Sequence, residues 1–345
     1  MAAAGRAALA YNQDVMRTDA ALSVELDSSR APRRGVTSSH ARRRAACVAA
    51  AIAVGGAAVS LSAQPRGFEL AFYNIRSGKG MQPLPGHPAP FAESDFCTGA
   101  GRPMNAWGAH VVQKALASSI ASDPAVIALG LSEAWNCALP KQVVAELKWK
   151  TATEEKNGTA LLARFGLAGE PEWLKLDVSR NENPRDEMWV VRAPVCLNTQ
   201  CSESLDVYAA HWSGTGPERQ ATFDRQAQDT IAFMRKSAGR HVLIGDLNVF
   251  EGDRTVCNQE PNNSTLRFLR TAGYTDAWPT VNGSKEGFTG MLNRAGCGSP
   301  EGYPWKRIDY AWSKGLTPTA MRRFGVVPPG HAAPSDHVGI VVRYR

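Results

Sequence analysis

Six places in this 345-residue sequence put an oxygen donor or an imidazole where an apolar run stops. Asn74 closes Phe72-Tyr73-Asn74, and Glu133 follows Leu131-Ser132. His211 follows Val207-Tyr208-Ala209-Ala210, and Asp246 and Asn248 follow Val242-Leu243-Ile244-Gly245. Asp309 lies in Arg307-Ile308-Asp309-Tyr310, and Ser335-Asp336-His337 precedes the last apolar run. Strand ends are where α/β proteins build sites. A carboxylate with other oxygen donors, without thiolates or a histidine cluster, suits a hard Mg²⁺ or Mn²⁺ ion. Taken singly, each residue has a plainer reading. Asn74 could form a turn, Glu133 could start a helix, and Gly245-Asp246-Leu247-Asn248 could be a simple turn. His211 beside Trp212 could be a satisfied core histidine, and Asp336 a cap. Six coincidences in one chain point instead to a site.

The elements that must hold these residues alternate along the chain. Short apolar runs predict strands at 68–75, 125–131, 159–163, 188–192, 205–210, 241–244, 308–312 and 338–343. Helical spacing runs through 106–121, stopped by Asp123-Pro124, and through 217–236, where Phe223, Ala227, Thr230, Ile231 and Met234 share a face. A shorter helix is expected at 264–271, and the Pro- and Gly-rich stretch 81–104 reads as a surface loop. No internal repeat and no linker follows residue 67. The pattern is one α/β domain of about 280 residues, with sheet inside and helices outside.

The ordered set resembles the endonuclease/exonuclease/phosphatase superfamily, with its deoxyribonuclease I-like fold. The motifs that carry the resemblance are Tyr73-Asn74-Ile75-Arg76, the strand ending in Glu133, Asn157-Gly158-Thr159-Ala160, His211, Gly245-Asp246-Leu247-Asn248, Arg307-Ile308-Asp309-Tyr310 and Ser335-Asp336-His337. They occur in the family's order and span 68–345. The resemblance implies a four-layer α/β sandwich, two packed and mainly antiparallel sheets flanked by helices, with the site at one end. It also implies hydrolysis of a phosphate ester aided by a divalent metal, Mg²⁺ or Mn²⁺, with Ca²⁺ a further candidate.

On that resemblance, His337 is the general base and Asp309 fixes its tautomer and orientation. His211 and Asn248 donate hydrogen bonds to phosphoryl oxygens. Glu133, Asn74 and Asp336 are the expected metal ligands, Asp246 completes the acidic pocket, and Arg185 matches a phosphate-contacting position. Whether the histidine or the aspartate of Gly245-Asp246-Leu247-Asn248 activates water stays open at this level.

The substrate branch is divided. Secreted deoxyribonucleases carry a glutamate near the strand that here begins Asn157-Gly158, paired with their first catalytic histidine. This chain has Lys156-Asn157 there, with Glu154 and Glu155 close by. Asn-Gly is closer to phosphatases and phospholipases, whereas Phe72-Tyr73-Asn74-Ile75-Arg76 leans towards nucleases. A nuclease needs a basic, aromatic-lined cleft. Candidates are Arg76, Lys79, Arg102, Lys306, Trp135 and Trp212, with solvated charge or core tryptophan the alternative for each. A sphingomyelinase-like enzyme would instead expose an apolar loop to a lipid surface, a role open to 81–96. A non-catalytic binding protein of the same fold is a third reading. No G-x-S-x-G elbow and no phosphate loop is present.

Charge decides little. The chain carries +7, but 1–63 holds eight of its 39 basic residues and four of its 32 acidic ones, leaving 31 against 28 elsewhere. Arg42-Arg43-Arg44 precedes an uncharged Ala-, Val- and Gly-rich stretch, 45–63. This is a secretory-signal pattern in an N-terminal extension, with a membrane anchor the alternative. The folded domain then begins at 64. Apart from Cys47, six cysteines remain, which in an exported chain predicts disulfides. Pairing neighbours gives Cys97–Cys137, Cys196–Cys201 and Cys257–Cys297. The last of these is similar in placement to a bridge of secreted deoxyribonucleases.

Overall fold

Apolar residues alternating or running continuously over four to nine positions make the ladders of this protein. The computed structural model describes residues 67–76, 116–134, 139–178, 187–213, 219–252, 260–290, 306–326 and 335–345. All of them fall in one unit, Leu61–Arg345. The strands are β1 (Phe68–Asn74), β2 (Val126–Ser132), β3 (Thr151–Ala152), β4 (Ala160–Ala163), β5 (Glu172–Leu176) and β6 (Met188–Cys196). They continue with β7 (Ser204–His211), β8 (His241–Asp246), β9 (Thr275–Asp276), β10 (Asp309–Lys314), β11 (Pro318–Phe324) and β12 (Gly339–Tyr344). The helices are α1 (Leu139–Leu147), α2 (Arg219–Met234), α3 (Asn263–Thr271) and α4 (Ala277–Asn282), with a short π-type turn at Ala117–Ala121.

Two six-stranded sheets result, ordered β11-β12-β1-β2-β4-β3 and β5-β6-β7-β8-β10-β9. Each is mixed: its central pair is parallel, β1 with β2 in one and β7 with β8 in the other, and every other pairing is antiparallel. Leu70, Phe72, Ala209, Ile244, Ala311 and Ile340 fill the space between the sheets. Tyr208, Leu243 and Trp312 face outward onto Phe223 and Ala227 of α2 and Leu266 of α3. Leu129 and Leu162 face outward onto Ile120 and onto Val143 of α1. This is the expected four-layer sandwich.

The predicted strands at 188–192 and 308–312 extend further, to Cys196 and Lys314. Strands β3, β5, β9 and β11 and helices α1 and α4 were not expected. Of the helix expected at 106–121, residues 106–115 lie outside the described residues. Cys196 and Cys201 form a disulfide that closes the β6–β7 connection. Cys97, Cys137, Cys257 and Cys297 lie outside the described residues, as do the whole of 1–63 and the loop 81–104. Among the described residues no helix is long and apolar enough to cross a membrane.

Candidate active site

Strand parity assembles the site. Side chains alternate faces along a strand, so residues two steps beyond an inter-sheet residue also face between the sheets. Phe72 is inter-sheet and Asn74 follows in β1; Ala209 leads to His211 in β7; Ile244 leads to Asp246 in β8; Asp309 precedes Ala311 in β10. Register then aligns them. Asp246 is the cross-strand partner of His211 on one side and of Asp309 on the other, and Asn74 is paired with Ser132. A row His211–Asp246–Asp309 on one sheet thus faces Asn74, Glu133 and His337 from the other, at the edge where apolar filling ends.

Asp246 is the hub. Its Oδ2 accepts from Asn74 Nδ2 at 2.9 Å and lies 3.7 Å from Nε2 of both His211 and His337. Its Oδ1 accepts from the Asn248 amide at 2.9 Å. The Asn74 amide also donates to Glu133 Oε1 at 2.9 Å, and its Oδ1 accepts from Arg76 N–H at 3.0 Å. Asn74 therefore bridges two carboxylates through its NH₂. His337 Nδ1 meets Asp309 Oδ2 at 2.9 Å, the geometry expected of an oriented imidazole. Ser335 adds a tie: its hydroxyl donates to the Asn74 carbonyl at 2.7 Å and accepts from His337 N–H at 3.2 Å.

The backbone at this edge is strained. Arg76, Glu133, Asn157 and Asn248 have φ of 44°, 51°, 43° and 52°. Left-handed non-glycine residues cost on the order of 1 kcal/mol each and cluster at functional sites. The Asn157-Gly158 turn supports Glu133 from behind, since Ala134 N–H donates to Gly158 O at 2.9 Å.

Burial and neighbours set the protonation states. Burial pushes the Glu133 and Asp246 carboxyls above their ordinary range, partly offset by His211 for Glu133 and by His337 for Asp246. Burial disfavours the His337 imidazolium, but Asp309 and Asp246 outweigh it and hold its pKa well above the ordinary value. Glu133, His211 and Asp246 offer ligand atoms within 4.8 Å of one another, as do Asp246, Asp309 and His337. Buried carboxylates that burial alone would neutralise, with imidazole and amide neighbours, fit a hard divalent cation.

The remaining expected residues divide. Asn248 Nδ2 donates to the Trp212 carbonyl at 2.8 Å. Asp336 belongs to neither cluster and faces Arg76 Nε at 3.9 Å. Arg185 lies outside the described residues, as do Lys79, Arg102 and Trp135. Trp212 is fully buried against the outer helices and cannot stack on a base. Lys306 is buried too, its ammonium over the Phe250 ring. Neither Glu154 nor Glu155 meets His211: Glu154 is exposed and Glu155 accepts from the Gly158 amide. His211 Nδ1 is buried with no partner among the described residues. Ser335 enters the sequence reading only within Ser335-Asp336-His337, and its tie to Asn74 shows only in the folded protein.

The family model "Endonuclease/Exonuclease/phosphatase family" matches residues 71–337, and the chain belongs to that family. Its members are phosphoric-ester hydrolases that depend on a divalent metal. Among solved structures, an endonuclease/exonuclease/phosphatase from Beutenbergia cavernae superposes with a TM-score of 0.55 at 18% identity, covering 81% of this chain and 72% of that one. D. rerio TDP2 complexed with single-strand DNA product gives 0.50 at 13% identity, covering 81% and 99%. A mannosyl-6-phosphatase from Bacteroides thetaiotaomicron gives 0.50 at 15% identity, covering 81% and 99%. At these identities the likeness is one of fold. No curated protein matches the sequence.

Proposed function

We propose that residues 64–345 form an exported, divalent-cation-dependent phosphodiesterase that hydrolyses nucleic acid. The observation that carries hydrolysis is the buried His337–Asp309 pair beside the Asp246 hub. With Nδ1–H given to Asp309, and with a bound cation offsetting the Asp246 charge that otherwise favours the imidazolium, His337 would present an unprotonated Nε2 to the site and take a proton from the attacking water there. The water oxygen bonds to phosphorus as the ester P–O bond breaks, and the leaving oxygen takes up a proton from solvent and departs as the alcohol. Among the described residues His211 has no carboxylate on Nδ1, and it is assigned a hydrogen bond from Nε2–H to a phosphoryl oxygen; Asn248 has a second amide N–H for the same use. Glu133 and Asp246, with Asn74 and Asp336 at the margin, would hold a Mg²⁺ or Mn²⁺ ion, which polarises the phosphoryl oxygen and offsets developing charge.

A polymeric substrate is favoured by a feature beside the Asn157-Gly158 turn. The Lys156 ammonium lies 5.1 Å from the ring centres of both Trp173 and Trp189, two half-buried indoles set edge to face. Lys156, Trp173 and Lys150 line a cavity of about 910 Å³, which Glu154 and Glu170 also border. Cation and aromatic side chains together suit a strand of phosphates and bases. The similarity to TDP2 with its DNA product agrees with this. The second reading is a phosphatase or lipid-headgroup phosphodiesterase. The Asn157-Gly158 turn and the likeness to a mannosyl-6-phosphatase favour it.

Protein starting at Gln64 should nick supercoiled plasmid with Mg²⁺ and stop with EDTA. Intact plasmid alongside cleavage of sphingomyelin vesicles or a chromogenic phosphodiester would move the assignment to the second reading. Export is tested by N-terminal sequencing of secreted protein, which should begin near residues 60–64.

A further inference from the structure

The geometry points to Thr289 as a positioning residue for the His337–Asp309 pair. That pair spans two sheets: Asp309 opens β10 in one, and His337 precedes β12 in the other. The β ladders fix neither residue relative to the other, because the sheets meet through non-directional apolar packing. A hydrogen bond of 2.9 Å does not survive a shift of about 1 Å.

Thr289 supplies the missing tie. Its Oγ1 accepts from Ile308 N–H at 3.1 Å and from Asp309 N–H at 3.0 Å. Its carbonyl accepts from Val338 N–H at 2.8 Å, and its own N–H donates to the Lys306 carbonyl at 2.9 Å. One buried residue therefore holds the backbone of Asp309 and the backbone next to His337. Gly290 continues the splint, bonding Lys306 in both directions and bridging to His337. A Cβ on Gly290 would stand 2.4 Å from Ile308 Cδ1 and 3.2 Å from His337 Cε1, so a larger residue would have to displace the Ile308 side chain and crowd the His337 ring. The hydroxyl is the specific part. Its two lone pairs serve two buried amides, which a valine of the same shape would leave without partners.

The catalytic part of this inference rests on His337 being the base; the structural part does not. Thr289→Val and Thr289→Ser are compared by turnover of a chromogenic phosphodiester in Mg²⁺. They are also compared by the downfield imidazole N–H resonance of His337, which reports the bond to Asp309 without turnover. The valine variant should lose about 10- to 100-fold in kcat with KM within about two-fold, and should lose or broaden that resonance. The serine variant should recover both. Unchanged kcat and resonance in the valine variant would overturn the inference. So would equal losses in both variants that follow a fallen melting temperature. Amide exchange in the unsubstituted protein is the check if the valine variant does not fold. Ile308, Asp309 and Val338 should be among the slowest amides, and fast exchange at Ile308 and Asp309 overturns the tie. A wild-type chain that cleaves none of the phosphoesters sinks the functional reading alone, since resonance and exchange still report on the splint.

Discussion

His337 and His211 are near mirror images about one carboxylate. Both are buried, and both place Nε2 3.7 Å from Asp246 Oδ2. They differ at the far nitrogen. His337 Nδ1 is held by Asp309 at 2.9 Å, while His211 Nδ1 has no partner among the described residues. Proximity to an acid is common to the two, so it cannot be what separates their roles. A fixed far nitrogen pins the tautomer and supports positive charge on the ring. On the proposed mechanism, that difference is the ground for assigning proton acceptance to His337 and hydrogen-bond donation to His211.

The strongest challenge to this comparison is to remove what the two halves share. Asp246→Asn keeps the shape of the hub and deletes its charge. Activity on a phosphodiester should fall by roughly 10³-fold or more, since both halves are disturbed. The melting temperature should hold or rise, because a buried carboxyl that burial already disfavours has been neutralised. More than about a tenth of wild-type activity would show that the row is not the site.

Next in size are the two histidines taken apart. His337→Gln should cost roughly 10²- to 10⁴-fold. Asp309→Asn should cost less, and the double variant no more than His337→Gln alone, because the two act as one unit. His211→Gln should cost about 10²-fold and combine additively with Asp309→Asn. Coupling between His211 and Asp309 as strong as that between His337 and Asp309 would erase the distinction.

What the sequence made legible follows the same division. Asn74, His211, Asp246 and Asp309 stood out because each ends or begins an apolar run, and parity with the core residues before or after them sets their facing. Those runs are also why the central strands were predictable. The unexpected elements lack such a signal. β11 buries only Pro318, Met321 and Phe324, a spacing of three rather than two, and β5 is half-exposed along an edge. Of the two readings open for Trp212, stacking platform and core tryptophan, the second holds, because a residue one step past His211 turns to the opposite face, into the helix layer. Thr289 acts through hydrogen bonds to residues about 20 and about 50 positions away in the chain, and no local pattern marks it.

Charge separates the two halves of the site from the unfolded chain as well. Glu133 and Asp246 titrate above 4.5 and 3.8, burial being the main cause, and His337 above 6.5 because Asp309 outweighs burial. In each case the folded, metal-free chain binds protons that the unfolded chain has released. Stability must therefore fall as pH rises. The acids begin to cost stability above their unfolded values near pH 4. The His337 contribution is full below 6.5 and is lost as pH climbs through its folded value. A divalent cation held by the ionised carboxylates should reverse the trend. At 100 times its Kd it should add about 2.7 kcal/mol. Melting curves from about pH 5 to about pH 9, with EDTA and with Mg²⁺, should diverge as pH increases. A gap independent of pH would mean that the buried acids do not hold the ion.

The smallest effect on activity belongs at the other end of β7. His211 ends that strand at the site, whereas the Cys196–Cys201 bridge closes the connection before it begins, with five residues of sequence separation. Closing so short a loop constrains the unfolded chain by about 2 kcal/mol. Cys196→Ala with Cys201→Ala should lower the unfolding free energy by about that amount and leave kcat and KM unchanged within about two-fold. The ladder from Ser204 to Ala210 lies between the bridge and His211, and its hydrogen bonds to β6 and β8 do not depend on the bridge. Denaturant unfolding beside a steady-state assay separates the two quantities. A selective loss of kcat would mean that strand register at His211 is set from the disulfide end, and that the two ends of β7 are not independent.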